Sequence, residues 1–279
     1  MLLGVMAAIS ALACVVMVMA NGVGVHLIWQ IPVSFLGSFL GLTVLAALLL
    51  LALGLSVDRN KPQKHDSLLY RKAIDLFVEF ALTVTRTRVH TQGLEQTPKN
   101  GRFLLVCNHL HEIDPAVLLR YFPDKQLAFI TKKEVADMFL VGKVMHKIMC
   151  QPLNRENDRE ALKTILNCVR LIKEDEVSIA VFPEGYIKPD RKLRRFRSGA
   201  FKIATKTKVP IVVCTLQNTQ YAVGNMCKLK PTDVHLHLIK TIQPEEYEEL
   251  STVELGEMVY QMMAQDLGPD LVSTEEEIS

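Results

Sequence analysis

The chain has 279 residues, 49% of them hydrophobic, and its 32 Lys and Arg nearly balance its 30 Asp and Glu. Six Cys and 14 Gly without a regular period exclude a disulfide scaffold, a collagen-like repeat and a disordered chain. Residues 1–57 contain no charged side chain, residues 58–240 carry all 32 basic residues against 19 acids, and residues 241–279 carry 11 acids and no Lys or Arg. We therefore predict a membrane-associated segment at 1–57 and one α/β domain at 58–279, with a basic core at 58–240 and an acidic region at 241–279.

The N-terminal segment contains two apolar stretches, residues 1–20 and 33–55, separated by an Asn21-Gly22 turn and by Pro32. As helices they would each be roughly 30–35 Å long, which is enough to cross a hydrocarbon core of about 30 Å. We predict a two-helix hairpin that spans the membrane or sinks partway into it. A cleavable signal peptide is the alternative, although no basic residue precedes the first stretch. The basic residues that follow, from Arg59 to Lys72, predict that residues 58–279 face the cytoplasm.

Apolar patterns along residues 58–279 predict alternating helices and strands. Residues 66–89 have apolar side chains three and four apart, which predicts an amphipathic helix that packs on the core or lies on the membrane surface. A second helix is predicted at 157–173, and 243–267 is predicted to be a closing acidic helical region. Strands are predicted at 103–107, 127–130, 177–182, 210–216 and 233–240, the last with His235 and His237 facing solvent. This order predicts an α/β fold, with a mixed, largely parallel sheet flanked by helices and preceded by the apolar two-helix segment. The six Cys include no C-x-x-C pair and are predicted to be buried thiols, which favours a reducing compartment.

The most informative polar motif follows the strand at 103–107. His109 lies in the loop after it, and Asp114-Pro115 predicts a helix start with Asp114 as the N-cap. A carboxylate beside an imidazole fixes its tautomer and stabilises its conjugate acid, so the pair could act as a general base. Asp114 could equally be only a cap, with His109 a loop residue. A metal site formed by His109, His111 and Asp114 does not fit the usual two-histidine spacing, and no metal is expected.

Four blocks occur in a defined order: Asn108-His109 with Asp114, Leu153-Asn154-Arg155, Phe182-Pro183-Glu184-Gly185 and Val209-Pro210-Ile211-Val212. Their order and separations resemble those of the glycerolipid (lysophosphatidic acid) acyltransferase family. The basic stretch at 196–201 is also similar to the one that follows the third block in this family. The resemblance covers roughly residues 89–216, which is most of the soluble domain.

The resemblance implies transfer of an acyl group from acyl-CoA or acyl carrier protein to the free hydroxyl of a lysophospholipid. The acceptor would be 1-acylglycerol-3-phosphate, the product would be phosphatidic acid, and no cofactor would be needed. His109 would take the hydroxyl proton while Asp114 orients the ring, and the oxygen would attack the thioester directly. Consistent with this, the sequence has no Gly-x-Ser-x-Gly elbow. The substrate site would include Asn108, Arg155, Glu184 and Gly185, with Arg155 as the phosphate ligand.

The sequence departs from the family pattern after the third block. Where the family commonly has Thr-Arg-Ser, this chain has Tyr186-Ile187-Lys188, so Lys188 or the basic residues at 191–197 would take over phosphate contact. A different lysolipid is therefore an alternative acceptor. Arg155 could instead be a surface residue and Glu184 a turn carboxylate bound by backbone N–H groups. The basic run at 191–197 could be a solvated loop or a patch for anionic lipids.

Two other classes of function share these features. A non-catalytic, membrane-tethered lipid-binding protein would keep the sheet and the basic face but would not need His109 with Asp114. A thioesterase or lipid hydrolase would use similar substrates with water as the acceptor. A nucleic acid partner is disfavoured because the basic segment has few interleaved aromatic residues and an acidic segment follows it.

Overall fold

The computed structural model describes residues 2–22, 24, 26–59, 61–154, 156–187 and 189–273, in two compact units divided between Asp58 and Arg59. The first unit consists of α1 (Leu2–Asn21) and α2 (Leu27–Leu55), which pack against each other. Both helices are long and apolar enough to cross a membrane. Pro32 lies inside α2, so the prediction that it separates the two stretches is wrong. Only one intrahelical hydrogen bond is lost at Pro32, near the start of a long helix.

The second unit is built on a seven-stranded sheet. Its strands are β1 (Thr87–Gln92), β2 (Leu104–Cys107), β3 (Leu127–Lys132), β4 (Gln151–Leu153), β5 (Ser178–Val181), β6 (Ile211–Gln217) and β7 (Thr232–Ile242). The spatial order is β1-β7-β6-β2-β5-β3-β4, and every neighbouring pair is parallel except the antiparallel pair β6 and β7. The prediction of a mixed, largely parallel sheet is confirmed. The sequence patterns did not predict β1 or β4.

Helices cover both faces of this sheet. They are α3 (Leu68–Val84), α4 (Asp114–Tyr121), α5 (Lys133–Asp137), α6 (Val141–Lys147), α7 (Asp158–Lys173), α8 (Lys202–Thr207), α9 (Ala222–Cys227) and α10 (Thr252–Leu267). Buried residues of α7, α8 and α10 form one core cluster with alternate residues of β2, β5 and β6. Helices α3 and α4 contact each other and bury a separate set of side chains. Strand residues that alternate with the first cluster, such as Leu105 and Val212, point to the opposite face.

The helix predicted at 66–89 is shorter in the structure. Helix α3 ends at Val84, and Arg86 adopts a left-handed conformation (φ 52°) before β1 begins. Val89 therefore belongs to a strand that pairs with β7. The inward face of α3 is formed by Tyr70, Val78 and Leu82, whereas Leu69 and Phe77, which belong to the apolar pattern at 66–89, are exposed.

The predicted C-terminal helical region consists of a short 3-10 helix (Pro244–Glu246) followed by α10. Ser251 caps α10 and exchanges hydrogen bonds with Glu254, as a capping box does. On β7 the predicted alternation is observed, with Val234, Leu236 and Leu238 buried.

The predicted burial of the cysteines holds for all but one of them. Five are buried free thiols, and Cys227 is exposed.

Candidate active site

Two polar loops meet at one edge of the sheet. One follows β2 and contains Asn108 and His109, and the other follows β5 and contains Phe182 and Glu184. Strands β2 and β5 are parallel neighbours, so their carboxyl ends lie side by side. In open α/β sheets this edge is where ligands bind. The topology thus brings the first and third sequence blocks together.

The imidazole of His109 is hydrogen-bonded to the buried carboxylate of Asp114. His109 Nδ1 lies 2.8 Å from Asp114 Oδ2, and the same oxygen accepts the backbone N–H groups of Leu110 (2.6 Å) and His111 (2.9 Å). An oxygen that accepts two N–H groups acts as an acceptor for Nδ1 as well, so the ring proton lies on Nδ1 and the lone pair on Nε2. Among the described residues Nε2 has no hydrogen-bond partner, and 19% of the His109 side chain is exposed.

Asp114 differs in one respect from its predicted position. It is the first residue of α4, and Ile113 holds the N-cap position without a side-chain cap, so the prediction that Asp114 is the N-cap is wrong. The carboxylate turns back into the loop before the helix because that loop presents two backbone N–H groups and the imidazole. Asp114 is fully buried, and its Oδ1 has no hydrogen-bond partner in the described part of the chain. Asp114 therefore stabilises the loop that contains His109 rather than the end of the helix.

An aromatic stack supports the other side of the imidazole. The ring of Phe182 lies parallel to that of His109, with centroids 4.1 Å apart and planes inclined by 17°. Phe129 on β3 continues the stack at 6.1 Å from Phe182. Phe182 belongs to the third sequence block, but its contact with His109 could not be predicted from the sequence because it depends on β2, β5 and β3 being neighbours. The carboxylate and the stack together restrict both tilt and rotation of the ring.

Glu184 joins the two loops. Its Oε1 accepts the backbone N–H of His109 (2.9 Å), and its Oε2 accepts that of Arg194 (3.3 Å). Burial raises the pKa of Glu184 to about 8, and the two backbone N–H donors oppose that rise only in part. The side chain holds the backbone of His109, as expected for a turn carboxylate bound by N–H groups. Glu184 therefore connects the loop after β2 with the segment around Arg194.

Asn108 uses both ends of its amide on the neighbouring strand. Its Nδ2 donates to the carbonyl of Leu216 (2.9 Å), and its Oδ1 accepts the N–H of Leu216 (2.7 Å). The side chain is buried, with 1% of its surface exposed. These contacts favour a structural role for Asn108, which fixes the end of β2 to β6, over contact with substrate.

Gly185 and the basic segment after it close the same edge. Gly185 has φ 88°, a conformation that favours glycine, and its N–H donates to the carbonyl of Phe182 (3.1 Å). Arg191 Nη1 donates to the carbonyl of Leu110 (2.6 Å), next to His109. Arg194 forms an ion pair with Asp190. Part of the basic segment therefore holds the loop of His109 in place.

The two predicted phosphate ligands, Arg155 and Lys188, lie outside the described residues. The residue before Arg155, Asn154, donates from Nδ2 to Glu160 Oε2 (2.9 Å). Asn154 also lines an open cavity of about 620 Å³ at the carboxyl ends of β3 and β4, together with Thr131 and Lys163. His109 is not among the residues that line this cavity.

Cys107, which lies next to the site, is not activated as a nucleophile. Burial raises the pKa of the Cys107 thiol well above its ordinary value, and neighbouring Cys214, Asp114 and Glu184 raise it further. A thiol in this state is protonated at neutral pH and unreactive. His111 accepts the backbone N–H of Ile113 at Nδ1. Within the described ranges, no three His, Cys, Asp or Glu side chains form a group that could hold a metal.

Comparisons with known proteins show what the chain is similar to. Residues 88–217 match the protein-family model described as Acyltransferase. The chain is 27% identical over 169 residues to a 1-acyl-sn-glycerol-3-phosphate acyltransferase of Cocos nucifera, covering 60% of this chain and 54% of the relative. It is 30% identical over 159 residues to a probable 1-acyl-sn-glycerol-3-phosphate acyltransferase of Mycoplasma pneumoniae, covering 56% and 59%. The aligned part of the chain thus spans little more than half the length of these relatives.

A solved structure shares the fold. The crystal structure of the 1-acyl-sn-glycerophosphate (LPA) acyltransferase PlsC from Thermotoga maritima superposes with a TM-score of 0.59 at 24% identity, over 71% of this chain and 78% of that one. The family match runs from β1 to the end of β6 and includes both loops that hold His109 and Glu184. Residues 88–217, which include His109, Asp114 and Glu184, are thus similar to acyltransferases, and the relatives they match are named 1-acyl-sn-glycerol-3-phosphate acyltransferases.

Proposed function

We propose that this protein transfers an acyl group from a thioester donor to the free hydroxyl of a lysophospholipid, with 1-acylglycerol-3-phosphate as the preferred acceptor. The observation that carries the proposal is the pair of His109 and Asp114, held 2.8 Å apart at the carboxyl edge of the sheet with Nε2 left available. The names of the relatives support the choice of acceptor. A non-catalytic lipid-binding protein would not need this pair.

The proposed reaction is a direct transfer. His109 Nε2 takes the proton of the acceptor hydroxyl as its oxygen bonds to the thioester carbonyl carbon, and Asp114 stabilises the imidazolium that forms. The tetrahedral intermediate then collapses, the carbon–sulfur bond breaks, and the thiolate receives the proton from Nε2. The products are a diacylated lipid and a free thiol. No side-chain nucleophile takes part, consistent with the protonated Cys107.

Positive charge is proposed to recognise the phosphate of the acceptor. Arg155 is the proposed main ligand because a guanidinium can bind a phosphate through two hydrogen bonds, and Lys188 is the proposed second one. The segment around Arg191 lies beside the loop of His109 and adds positive potential there. Asn108, Glu184 and Gly185 are proposed to shape the pocket rather than to contact the reacting atoms.

The test is a rate measurement with a panel of lysolipids, using acyl-CoA and acyl carrier protein donors in separate assays. Release of free thiol and formation of diacyl lipid should both require the acceptor, and thiol release without acceptor would indicate a thioesterase. Arg155→Ala should raise the acceptor KM by the equivalent of about 1.5–3 kcal/mol when the acceptor has a phosphomonoester. An equal loss with acceptors that lack this group would contradict the role of Arg155.

The domain arrangement forms part of the proposal. The helices α1 and α2 are proposed to anchor the chain in a membrane, and the catalytic domain is proposed to face the cytoplasm because basic residues follow α2 in the sequence. A reporter fused after Ser279 should therefore be active in the cytoplasm. Activity of that reporter on the other side of the membrane would refute the orientation.

A further inference from the structure

An exposed apolar patch lies where α5 ends and α6 begins. Met138, Phe139 and Val141 have 52%, 64% and 44% of their surfaces exposed, and they occur within four consecutive residues. Single exposed apolar side chains are common, but a contiguous set of large ones usually marks an interaction surface. We refer to these three residues as the α5–α6 patch.

The charges around the patch are mainly positive. Lys143 Nζ lies 5.3 Å from the ring centroid of Phe139, and Lys133 is exposed at the start of α5. Two acids, Glu134 and Asp137, are also exposed, but Arg59 Nη1 lies 3.9 Å from Asp137 and offsets its charge. An apolar centre with a basic rim is complementary to the surface of a bilayer that contains anionic lipids.

A second apolar cluster lies at the other end of α6. The N–H of Ser67 donates to the carbonyl of Lys147, the last residue of α6 (3.2 Å). Leu68 and Leu69 follow directly and are 63% and 62% exposed. Because α6 has seven residues, only about 10 Å of helix separates its two ends. Two sets of exposed apolar side chains therefore lie at opposite ends of one short helix.

The chain enters the catalytic domain at this place. Arg59 donates a hydrogen bond to the carbonyl of Ala136, two residues before the patch begins. In the sequence, Arg59 comes four residues after the end of the second apolar helix at Leu55. Only residues 56–58 thus separate Arg59 in the sequence from a helix that is long and apolar enough to cross a membrane.

We propose that the α5–α6 patch is a membrane-binding surface of the catalytic domain, which docks the domain on bilayers that contain anionic phospholipids. The patch side chains enter the headgroup region while Lys133 and Lys143 contact lipid phosphates. The proposal deepens the proposed function, since an acceptor that resides in the bilayer reaches a docked domain more readily. It concerns no residue of the His109 and Asp114 pair.

Fluorescence quenching of the full chain tests the proposal. Trp29 is the single tryptophan, so Trp29→Phe with Phe139→Trp gives one reporter in the patch. A matched control is Trp29→Phe with Val253→Trp, because Val253 is 65% exposed on α10, which packs on β6 and β7 rather than on the β3–β4 edge. Both are placed in nanodiscs of brominated phosphatidylcholine with phosphatidylglycerol. The patch reporter should be quenched at least about twofold more strongly than the control.

Four results bear on the outcome. Equal quenching of the two reporters would overturn the proposal. Lys133→Gln with Lys143→Gln should reduce quenching of the patch reporter only when phosphatidylglycerol is present, and an equal effect without it would refute the role of charge. Phe139→Asp should raise the KM for nanodisc-embedded acceptor about threefold or more and leave the rate with micellar acceptor unchanged. If the parent protein were inactive on both acceptors, the proposed function would be refuted. The quenching measurement would still test membrane binding by the patch, because it does not depend on activity.

Discussion

Replacing Asp114 by Asn tests the central contact of the proposed site with little disturbance of the fold. A carboxamide can place its oxygen where Oδ2 lies and keep the hydrogen bonds from Leu110, His111 and the imidazole of His109. Its NH2 group then takes the place of Oδ1, which has no hydrogen-bond partner among the described residues. The substitution therefore removes mainly the negative charge.

The size of the effect follows from the geometry. With Nδ1 and Oδ2 2.8 Å apart, the centres of charge of an imidazolium and the carboxylate are separated by more than this distance. At about 4 Å and an effective dielectric constant of about 20, the attraction is about 4 kcal/mol. Loss of that stabilisation from the transition state corresponds to a rate about 10³-fold lower. We expect this loss in kcat, with the donor KM nearly unchanged.

The assay compares four proteins in detergent, the parent, Asp114→Asn, His109→Ala and the double variant. Rates are measured as acceptor-dependent thiol release, and thermal unfolding checks that each variant is folded. His109→Ala should reduce turnover about 10²- to 10⁴-fold. The double variant should be no slower than His109→Ala, because Asp114 acts only through the imidazole. Activity of Asp114→Asn within about threefold of the parent would refute the reasoning, as would multiplication of the two effects in the double variant.

Three further predictions concern the residues around this pair. Phe182→Leu should lower kcat about 3- to 10-fold, because the stack on the imidazole is lost, whereas Phe182→Tyr should retain it; steady-state kinetics that do not distinguish the two would contradict a role for the stack. Asn108→Ala should lower the free energy of unfolding by about 2–4 kcal/mol, measured by denaturant titration, because both backbone groups of Leu216 lose buried partners. The folded-state pKa of Glu184 is raised from 4.5 to about 8, so its stabilising contribution is present below pH 4.5 and is lost as the pH rises through 8. Relative to Glu184→Gln, the parent should lose up to about 4–5 kcal/mol of stability over that range, and parallel pH profiles of unfolding would contradict the raised pKa.

Strands with a clear local hydrophobic pattern could be predicted from the sequence. The continuous apolar runs of β2, β5 and β6 and the period-two alternation of β7 mark buried and half-buried strands, and all four were identified. Strand β1 was missed because its first residues continued a helical spacing, and only the left-handed conformation at Arg86 separates it from α3. With three residues, β4 is too short to show a period.

The candidate site was predicted in its residues and only partly in its contacts. His109 and Asp114 are five positions apart, so local spacing was enough to suggest the pair. The bond between Asn108 and Leu216 joins residues 108 positions apart, and the stack on His109 joins loops from two strands. Such contacts depend on strand order, which no local pattern specifies.

The stack on His109 also provides a spectroscopic signal. Ring protons that lie over the face of an aromatic neighbour are shielded by its ring current, and Phe182 lies 4.1 Å from the imidazole centroid. The chain has eight histidines, and the described stacking partner of His90 is another imidazole, which shields more weakly than a phenyl ring. In a histidine-labelled sample, the His109 resonances should therefore move upfield of the others. Their position during titration and on addition of thioester would follow the protonation and environment of this one ring throughout a reaction cycle.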